Sequence, residues 1–568
     1  MKKVLYMLIL FPASIFAQQN VQMNREWGLE YERQLNLIHS SHSSSVNTND
    51  TIGKSNISHQ FAKADSVSDV DLSCFKPYIT KSKFSSKDKS KGTYLYRKFR
   101  EESFVVVNDT ADKFRLNIDP LFNFQFGIDR ADTTGEKLYT NTRGFMVRGG
   151  IGNKFAFETS FYENQSTFPR YLDSYIATTT KLFPQPVNTN ENYAVIPGQG
   201  RSKPFKKNGY DYAMASGYVS YTPNKYFNFQ IGNGKNFIGD GYRSLLLSDN
   251  AFNYPYARIT TTYKNIQYTN LYTSFMNLTD GGVTTPAHVE RLFQKKVGSF
   301  QLLSMNFFKR LQVGLFQGMI WEAADSTNHQ HVNFNTFDPV IGVNTLNYGL
   351  HNTNNIVLGA TIKIKFTNSI SIFGQGMLDD VNIKNDRGDK VNKYGYQIGI
   401  KYFDLFTIKN LHLQLEYISV RPYSYSSTNP EQSYTHYNQS LAHPLGANFY
   451  EAVGFINYRF NNFFVELKGN YAVKGADSLN FNFGSNVFKS DNAYPISQNM
   501  ENVQTTQGLK TTIVTEDIHI GYLLNKSSNF NIVFGVSNRT DQTDRKTNNT
   551  QWVYVGVRTS LTNLYYDF

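Results

Sequence analysis

The stretch Leu121 to Asp129, LFNFQFGID, sets Phe122, Phe124, Phe126 and Ile128 alternately against Asn123, Gln125, Gly127 and Asp129. Side chains along a strand point to opposite faces in turn, so this stretch has one apolar and one polar face. Such a strand belongs between lipid and water. The pattern recurs. Phe155, Phe157, Thr159 and Phe161 alternate with Ala156, Glu158, Ser160 and Tyr162, and Phe463, Val465, Leu467, Gly469 and Tyr471 alternate with Phe464, Glu466, Lys468, Asn470 and Ala472. Each segment is close to the ~9 to 11 residues with which a tilted strand crosses a bilayer. Phe124 and Phe157 are therefore expected to face lipid, and Gln125 and Glu158 the lumen.

Working outward, strands are predicted to begin near Leu121, Thr142, Lys154, Tyr212, Lys225, Tyr256, Ile266, Val297, Leu311, Asn354, Ile370, Asn392, Leu411, Asn448, Phe463, Lys510, Asn529 and Gln551. That is about eighteen, an even number, as single-chain bacterial membrane barrels have. Short connections at Gly152, Thr222, Lys264, Phe308, Thr367 and Asn461 alternate with long ones. The longest run about Asn164 to Asp211, Gly234 to Pro255, Asn277 to Lys296, Glu322 to Thr353, Ser419 to Ala447 and Lys474 to Leu509. Short periplasmic turns and long extracellular loops are the pattern of an outer-membrane barrel. An unpaired backbone group facing hydrocarbon costs several kcal/mol, so the last strand has to close on the first. That last strand, QWVYVGVRTSLTNLYYDF, puts Val553, Val555, Val557, Thr559 and Leu561 on one face and is expected to run to a terminal aromatic, Phe568. The fold class is accordingly all-β, a transmembrane outer-membrane antiparallel β-barrel of about eighteen strands with long extracellular loops.

The chain of 568 residues opens MKKVLYMLILFPASIFAQ, with Lys2 and Lys3 before the apolar run Val4 to Phe11 and small Ala17 at the end. This is the layout of a cleavable secretory signal, so residues 1–17 are expected to be a signal peptide removed after Ala17. Residues 18–113 are polar and Ser-rich and are expected to form a periplasmic N-terminal region, with residues 114–568 the barrel and both termini periplasmic. Within the lead, Arg25 to Leu37 and Cys74 to Ile79 are the pieces expected to be ordered, with a small plug or helical element as one outcome. Cys74 is the only cysteine, so a disulfide framework is excluded. The formal charge of +12 is scattered without a Lys/Arg block, which gives nucleic-acid binding little support. A basic surface in this compartment suits outer-membrane lipid, lipopolysaccharide or acidic glycans.

Gly232 to Gly241, GNGKNFIGDG, is not a phosphate loop, because Lys235 lacks the following Ser or Thr and no βαβ context surrounds it. The segment after it, Asp240 to Arg258, is too apolar for a loop in water and is expected to fold inward or against the rim, with Asp240 and Arg243 as an ion pair. His329 and His331 form an HxH, and His436 and His443 share one loop, but a metal site needs three or four convergent ligands. Asp379, Asp380 and Glu451 lack a placed nucleophile and base, so no catalytic residue, metal site or cofactor is assigned. Aromatics, amides and imidazoles on Gly198 to Tyr210, Phe237 to Tyr256 and Tyr434 to Asn448 are suited to stacking on sugars or docking a partner. Asp240, Tyr242, Arg243, His436, Tyr437, His443 and Asn448 are the candidate rim recognition residues. The alternative is that these segments pack together and cap the barrel.

Specific stretches extend the reading. They are IPGQGRSKPFKKNGYDYA at Ile196 to Ala213, NFIGDGYRSLLLSDNAFNYPYAR at Asn236 to Arg258, LQVGLFQGMIW at Leu311 to Trp321 and RPYSY at Arg421 to Tyr425. With them go SLAHPLGANFYEAVG at Ser440 to Gly454, IGYLLNKSSNF at Ile520 to Phe530 and VRTSLTNLYYDF at Val557 to Phe568. On these the chain resembles the gliding-motility RemB family of Bacteroidota, itself similar to Wzi-like capsule-assembly barrels. Where related barrels read GLFE, this chain has Gln317, which removes an acid from that position. The resemblance implies a non-enzymatic role in cell-surface gliding motility or adhesion, with gliding-machinery proteins or surface polysaccharide as partners. A glycan-binding capsule-assembly barrel is the second reading and a diffusion porin the third.

Overall fold

The structure, a computed structural model, describes residues 18–37, 73–81, 93–109, 111, 113–178, 194–280, 293–308, 310–323, 337–349, 354–380, 392–478, 481–492, 503–559 and 561–568. The proposed signal segment 1–17 and the pair His329 and His331 lie outside them.

Eighteen strands form the wall. They are β1 (Phe114–Asp129), β2 (Lys137–Ile151), β3 (Phe155–Thr167), β4 (Gly209–Tyr221), β5 (Phe227–Gly234), β6 (Tyr254–Tyr263), β7 (Ile266–Asp280), β8 (Phe293–Phe307) and β9 (Leu311–Glu322). The second half comprises β10 (Asn355–Lys365), β11 (Ile370–Asp380), β12 (Lys393–Tyr402), β13 (Leu411–Val420), β14 (Phe449–Phe460), β15 (Phe463–Ala476), β16 (Leu509–Asn525), β17 (Phe530–Thr543) and β18 (Thr547–Arg558). Every neighbour is antiparallel, and Trp552–Arg558 of β18 pairs with Asn123–Asp129 of β1 to close the sheet on itself. Closure leaves no edge to meet hydrocarbon.

The alternation read at Leu121 holds. Phe126 is 63% exposed on the outer wall and Leu121 4% exposed on the inner, where it packs with Met146, Tyr162 and Met214. Ile231, Ile398, Val219 and Val555 likewise stand outward, each more than half exposed. So broad an apolar girdle around a closed sheet has no place in water and spans a membrane. One end carries short turns, among them Lys264–Asn265 and Asn461–Asn462, and just above them an aromatic belt. Phe155 stacks on Tyr221 at 4.7 Å, Phe463 meets Tyr522 edge-on at 4.8 Å, and Phe308 and Phe406 stand almost fully out. Amphipathic rings gather where hydrocarbon gives way to headgroups. The other end carries the long connections, with two exceptions, the turns 130–136 and 544–546.

The tail departs from expectation, and the lead takes an outcome that its sequence left open. Helix α1 (Arg25–Leu37) forms in a piece for which a small plug or helical element was one outcome, and it lies inside the barrel. The terminal strand stops at Arg558, and residues 561–568 turn back into the lumen, so Phe568 does not end the wall. The reason is chemical: Asp567 and the Tyr565 hydroxyl find polar partners inside that a lipid-facing strand could not supply.

Candidate functional site: a lumen filled by the chain itself

Alternation along each strand aims a polar row inward, and four segments of the same chain meet it. α1 carries the first set of contacts. Arg25 pairs with Glu466 of β15 and stacks over Phe455 at 4.3 Å. Glu26 takes Arg558 at 2.6 Å, and Arg33 reaches Asp404 with two guanidinium nitrogens at 2.6 and 2.8 Å. Glu32 sits between two ammonium groups, Lys401 at 2.5 Å and Lys76 at 2.8 Å. Burial would raise its pKa, but these cations hold it well below the usual carboxylate range. Asn20, ahead of α1, bonds Gln230 and Arg258 of the wall.

The second segment is the piece around Cys74. Phe75–Lys76 pairs as a short strand with Phe237–Ile238, which ties the lead to the inward loop. The Cys74 thiol is buried against the Thr361 hydroxyl at 3.4 Å and is pushed up to about 12 by that burial, so it is inert.

The third is the connection from β5 to β6. As its apolar sequence suggested, it folds inward, with Leu245, Leu246 and Leu247 fully buried against an unusually apolar inner wall that includes Phe300, Phe316 and Val357. Gly239 and Gly241 allow the approach. A Cβ on Gly239, which has a φ of 145°, would stand 2.3 Å from the Gln375 amide, and one on Gly241 2.3 Å from the Gln397 amide. Tyrosines of the β13–β14 connection lock this loop from above: Tyr425 donates to the Leu245 carbonyl at 2.7 Å, and Tyr434 to the Leu246 carbonyl.

The tail is the fourth. Its Asp567 and Glu451 of β14 share the Arg243 guanidinium, which is itself fully buried. Glu451 also accepts from His443 at 2.8 Å and from the Asn470 amide at 3.0 Å, while Lys468 reaches Asp567 at 3.1 Å. Against burial, Arg243 and Lys468 hold the Asp567 carboxyl well below its ordinary range. Tyr242 and Tyr565 flank the guanidinium, with ring centres 5.0 and 5.6 Å from its carbon.

Two expectations are corrected. Asp240 and Arg243 are not an ion pair: Asp240 takes Lys363 at 2.6 Å, and Arg243 takes Glu451 and Asp567. In an irregular loop packed against a wall, the wall's opposite charges lie closer than a residue three positions on. Nor do the candidate residues form an exposed rim. Asp240, Tyr242, Arg243, His436, His443 and Asn448 are all buried, and Tyr437 is half-buried against Phe252 at 4.8 Å.

The structure brings Tyr242, Arg243 and His443 together and sets His436 and Asn448 elsewhere, as separate clamps. His436 accepts from the Met276 amide at 3.0 Å and donates to the Asn253 carbonyl at 3.1 Å, which makes it a neutral imidazole. Burial pushes it down to about 3. Asn448, at a φ of 61°, donates to the Gly475 and Gln507 carbonyls at 2.7 and 2.9 Å and accepts from Thr506 at 2.6 Å. Asp379 accepts from the Tyr425 amide at 2.7 Å, and Gln317 from Gly342 and Thr345 at 2.9 Å. Among the described residues no group of three or more His, Cys, Asp or Glu could hold a metal. Sequence reading missed Glu32, Lys401, Glu466 and Asp567, the charges that bind the filling to the wall.

No family model and no curated protein matches the chain. Solved structures similar to it are outer-membrane barrels. One is Wzi of Escherichia coli, described as a carbohydrate-binding β-barrel involved in Group 1 capsule assembly, at 11% identity over 78% of this chain and 85% of that one, TM-score 0.43. Others are OccAB2 of Acinetobacter baumannii, at 11% identity over 78% and 97% with a TM-score of 0.40, and OprD of Pseudomonas aeruginosa, at 10% over 78% and 94% with 0.38. Likeness at this level carries no argument about what this chain does, and the fold rests on its own strand pairing.

Proposed function

We propose that the chain is a non-conducting outer-membrane barrel that serves cell-surface gliding motility or adhesion as a rigid platform, in keeping with its resemblance to the RemB family. In this reading the short turns face the periplasm, the long connections face outward, and the tail enters the lumen from the periplasmic side. One observation carries the proposal: the lumen is filled by four segments of the chain bonded to its wall. Two cavities between filling and wall measure about 70 and about 110 Å³, room for a few waters each. A barrel of this strand number can hold an aqueous channel, so its filling is a specific feature of this sequence.

The second reading, retention of surface polysaccharide, draws on the larger cavity, where Tyr162, Tyr218 and Tyr256 meet Asn233 and Asn253. Rings and amides of that kind stack on and hydrogen-bond to sugars. Deletion of the gene, scored together for colony spreading and capsule staining, separates the two. Loss of spreading with capsule retained supports the platform, and the converse overturns it. Steady single-channel conductance by the purified barrel in a planar bilayer would instead support a porin.

A further inference from the structure

On three adjacent strands the wall is turned inside out. Asn270, Gln301 and Gln317 pair side by side across β7, β8 and β9, and the same cross-strand row continues into Ile259 of β6 on one side and Leu358 of β10 on the other. All three polar residues take the outer face, the one that Ile266, Phe307 and Leu315 occupy on the same strands with exposed side chains. The inner face here is apolar, with Leu271, Phe300 and Phe316 in the lumen cluster. Gln301 and Gln317 lie near the middle of β8 and β9, the depth at which the girdle meets hydrocarbon. Yet both are fully buried.

They are covered by residues 337–349 of the β9–β10 connection, which include the short helix α2 (Val343–Tyr348). Gln317 Oε1 accepts from the Gly342 amide and the Thr345 hydroxyl, both at 2.9 Å, and Gln301 donates to the Asp338 carbonyl at 3.3 Å. Either side of Asn270, the Tyr268 hydroxyl accepts from the Ile341 amide at 3.0 Å and donates to the Pro339 carbonyl, and Tyr272 donates to the Phe337 carbonyl at 3.0 Å. Irregular backbone stays out of hydrocarbon unless its polar groups are satisfied, and here the wall's side chains satisfy them.

The polarity of the segment is the reverse of a loop in water. Asn344 is fully buried, while Leu346 is 86% and Val340 54% exposed. No charged residue occurs from Pro339 to Gly349, and Asn347 is the one polar side chain among those exposed there. A buried polar group beside exposed large apolar ones marks a surface that does not face water.

We infer that residues 337–349 form a plate immersed in the bilayer against the outside of β7 to β9, with Val340 and Leu346 on acyl chains and the polar row as its seat. Continuity selects lipid over a second copy of the chain as the occupant: the seat is bounded on its own strands by girdle residues, Leu315 and Ile266, which already face hydrocarbon.

The test uses the full mature chain with Cys74→Ser, folded into phosphatidylcholine vesicles, with a nitroxide at Val340→Cys or Leu346→Cys. Ile231→Cys on the girdle and Lys546→Cys in a loop give the lipid and water references, and gel heat-modifiability confirms that each variant is folded. Accessibility to oxygen relative to a water-soluble relaxation agent is expected to match Ile231→Cys at both positions and to exceed Lys546→Cys severalfold. Gln317→Leu removes the acceptor of the seat and leaves an apolar wall, so the barrel should stay heat-modifiable while the label at Leu346→Cys becomes more mobile. Three outcomes overturn the inference: ratios equal to Lys546→Cys, an immobilised label shielded from both agents, as contact with a second copy would give, or a mobility that Gln317→Leu leaves unchanged.

Discussion

Arg243→Met removes the one cation shared by Glu451 and Asp567. Removing one partner of a buried pair costs about 3 to 5 kcal/mol, because the other charge is left without compensation in a medium that solvates it poorly. Two carboxylates are affected here, yet the cost should stay within that range, because neither is left bare. Glu451 keeps His443 at 2.8 Å and Asn470 at 3.0 Å, and Asp567 keeps Lys468 at 3.1 Å and the Tyr242 hydroxyl at 3.2 Å. Methionine roughly fills the volume between the Tyr242 and Tyr565 rings, so the loss is electrostatic more than steric. Urea titration of the folded barrel in detergent micelles, followed by the gel shift between folded and unfolded forms, reads the difference directly. Adding Glu451→Gln and Asp567→Asn to Arg243→Met should recover most of the loss, since neutral partners of similar shape no longer demand the guanidinium. The reasoning is refuted if Arg243→Met costs under about 1 kcal/mol, or if the triple variant is no more stable than the single one.

Three further outcomes follow from the wall and the clamps. Phe124→Arg should cost about 2 to 4 kcal/mol if it lies near the midplane, while Gln125→Arg is tolerated; equal effects on assembly would reject the register. His436 has a folded pKa of about 3 against an ordinary value near 6.5, so its contribution is fully present above about pH 6.5. It is lost as pH falls toward 3, by about 1.4 kcal/mol per unit. The stability of His436→Gln should therefore fall less than that of the wild type between about pH 7 and pH 5, and parallel curves would count against a buried neutral imidazole. Asn448→Ala removes a side chain that bonds the Gly475, Gln507 and Thr506 backbones; it should cost about 1 to 3 kcal/mol and speed proteolysis between β15 and β16, and an unchanged digestion rate would deny the clamp.

The wall was legible because its signal is local. Phe122 to Asp129 alternates within eight residues, and the face each residue takes is fixed by strand geometry alone. All eighteen predicted starts fall in or within a few residues of an observed strand. Boundaries were less legible. β3 runs on to Thr167, and Gly200–Phe205 adds a short strand beside β4, in stretches read as loop, because polar residues that keep a hairpin paired beyond the membrane look the same as residues in an irregular connection.

The interior was hidden for a different reason: its partners are hundreds of residues apart, and no local period links them. A partial signal was nonetheless present. Alternation along β15 sends Glu466 and Lys468 to the lumen side of a wall whose other face meets lipid, and a charge placed there without abundant water needs a counter-charge. The adjacent strands do not neutralise both. Lys468 meets Asp517 of the adjacent strand β16 at 2.5 Å, and charge that such wall pairs leave unbalanced is met by segments that are not wall: the lead offers Arg25, Glu26, Glu32 and Arg33 on thirteen helical residues, while the tail offers Asp567. In the structure Glu466 takes Arg25, Lys468 takes Asp567, Lys401 takes Glu32 and Arg558 takes Glu26. Counting lumen-facing charges of each sign and asking which non-strand segment balances them is thus a way to detect a filled barrel before its fold is known. The same reasoning explains why the expected rim residues are buried. The segment that carries Arg243 was expected to fold inward or against the rim, and what stayed hidden was its partners: a loop with Leu245, Leu246 and Leu247 at its centre has its lowest free energy inside, and its charged residue follows it there because Glu451 and Asp567 wait for it, with His443 of the neighbouring connection on the same Glu451.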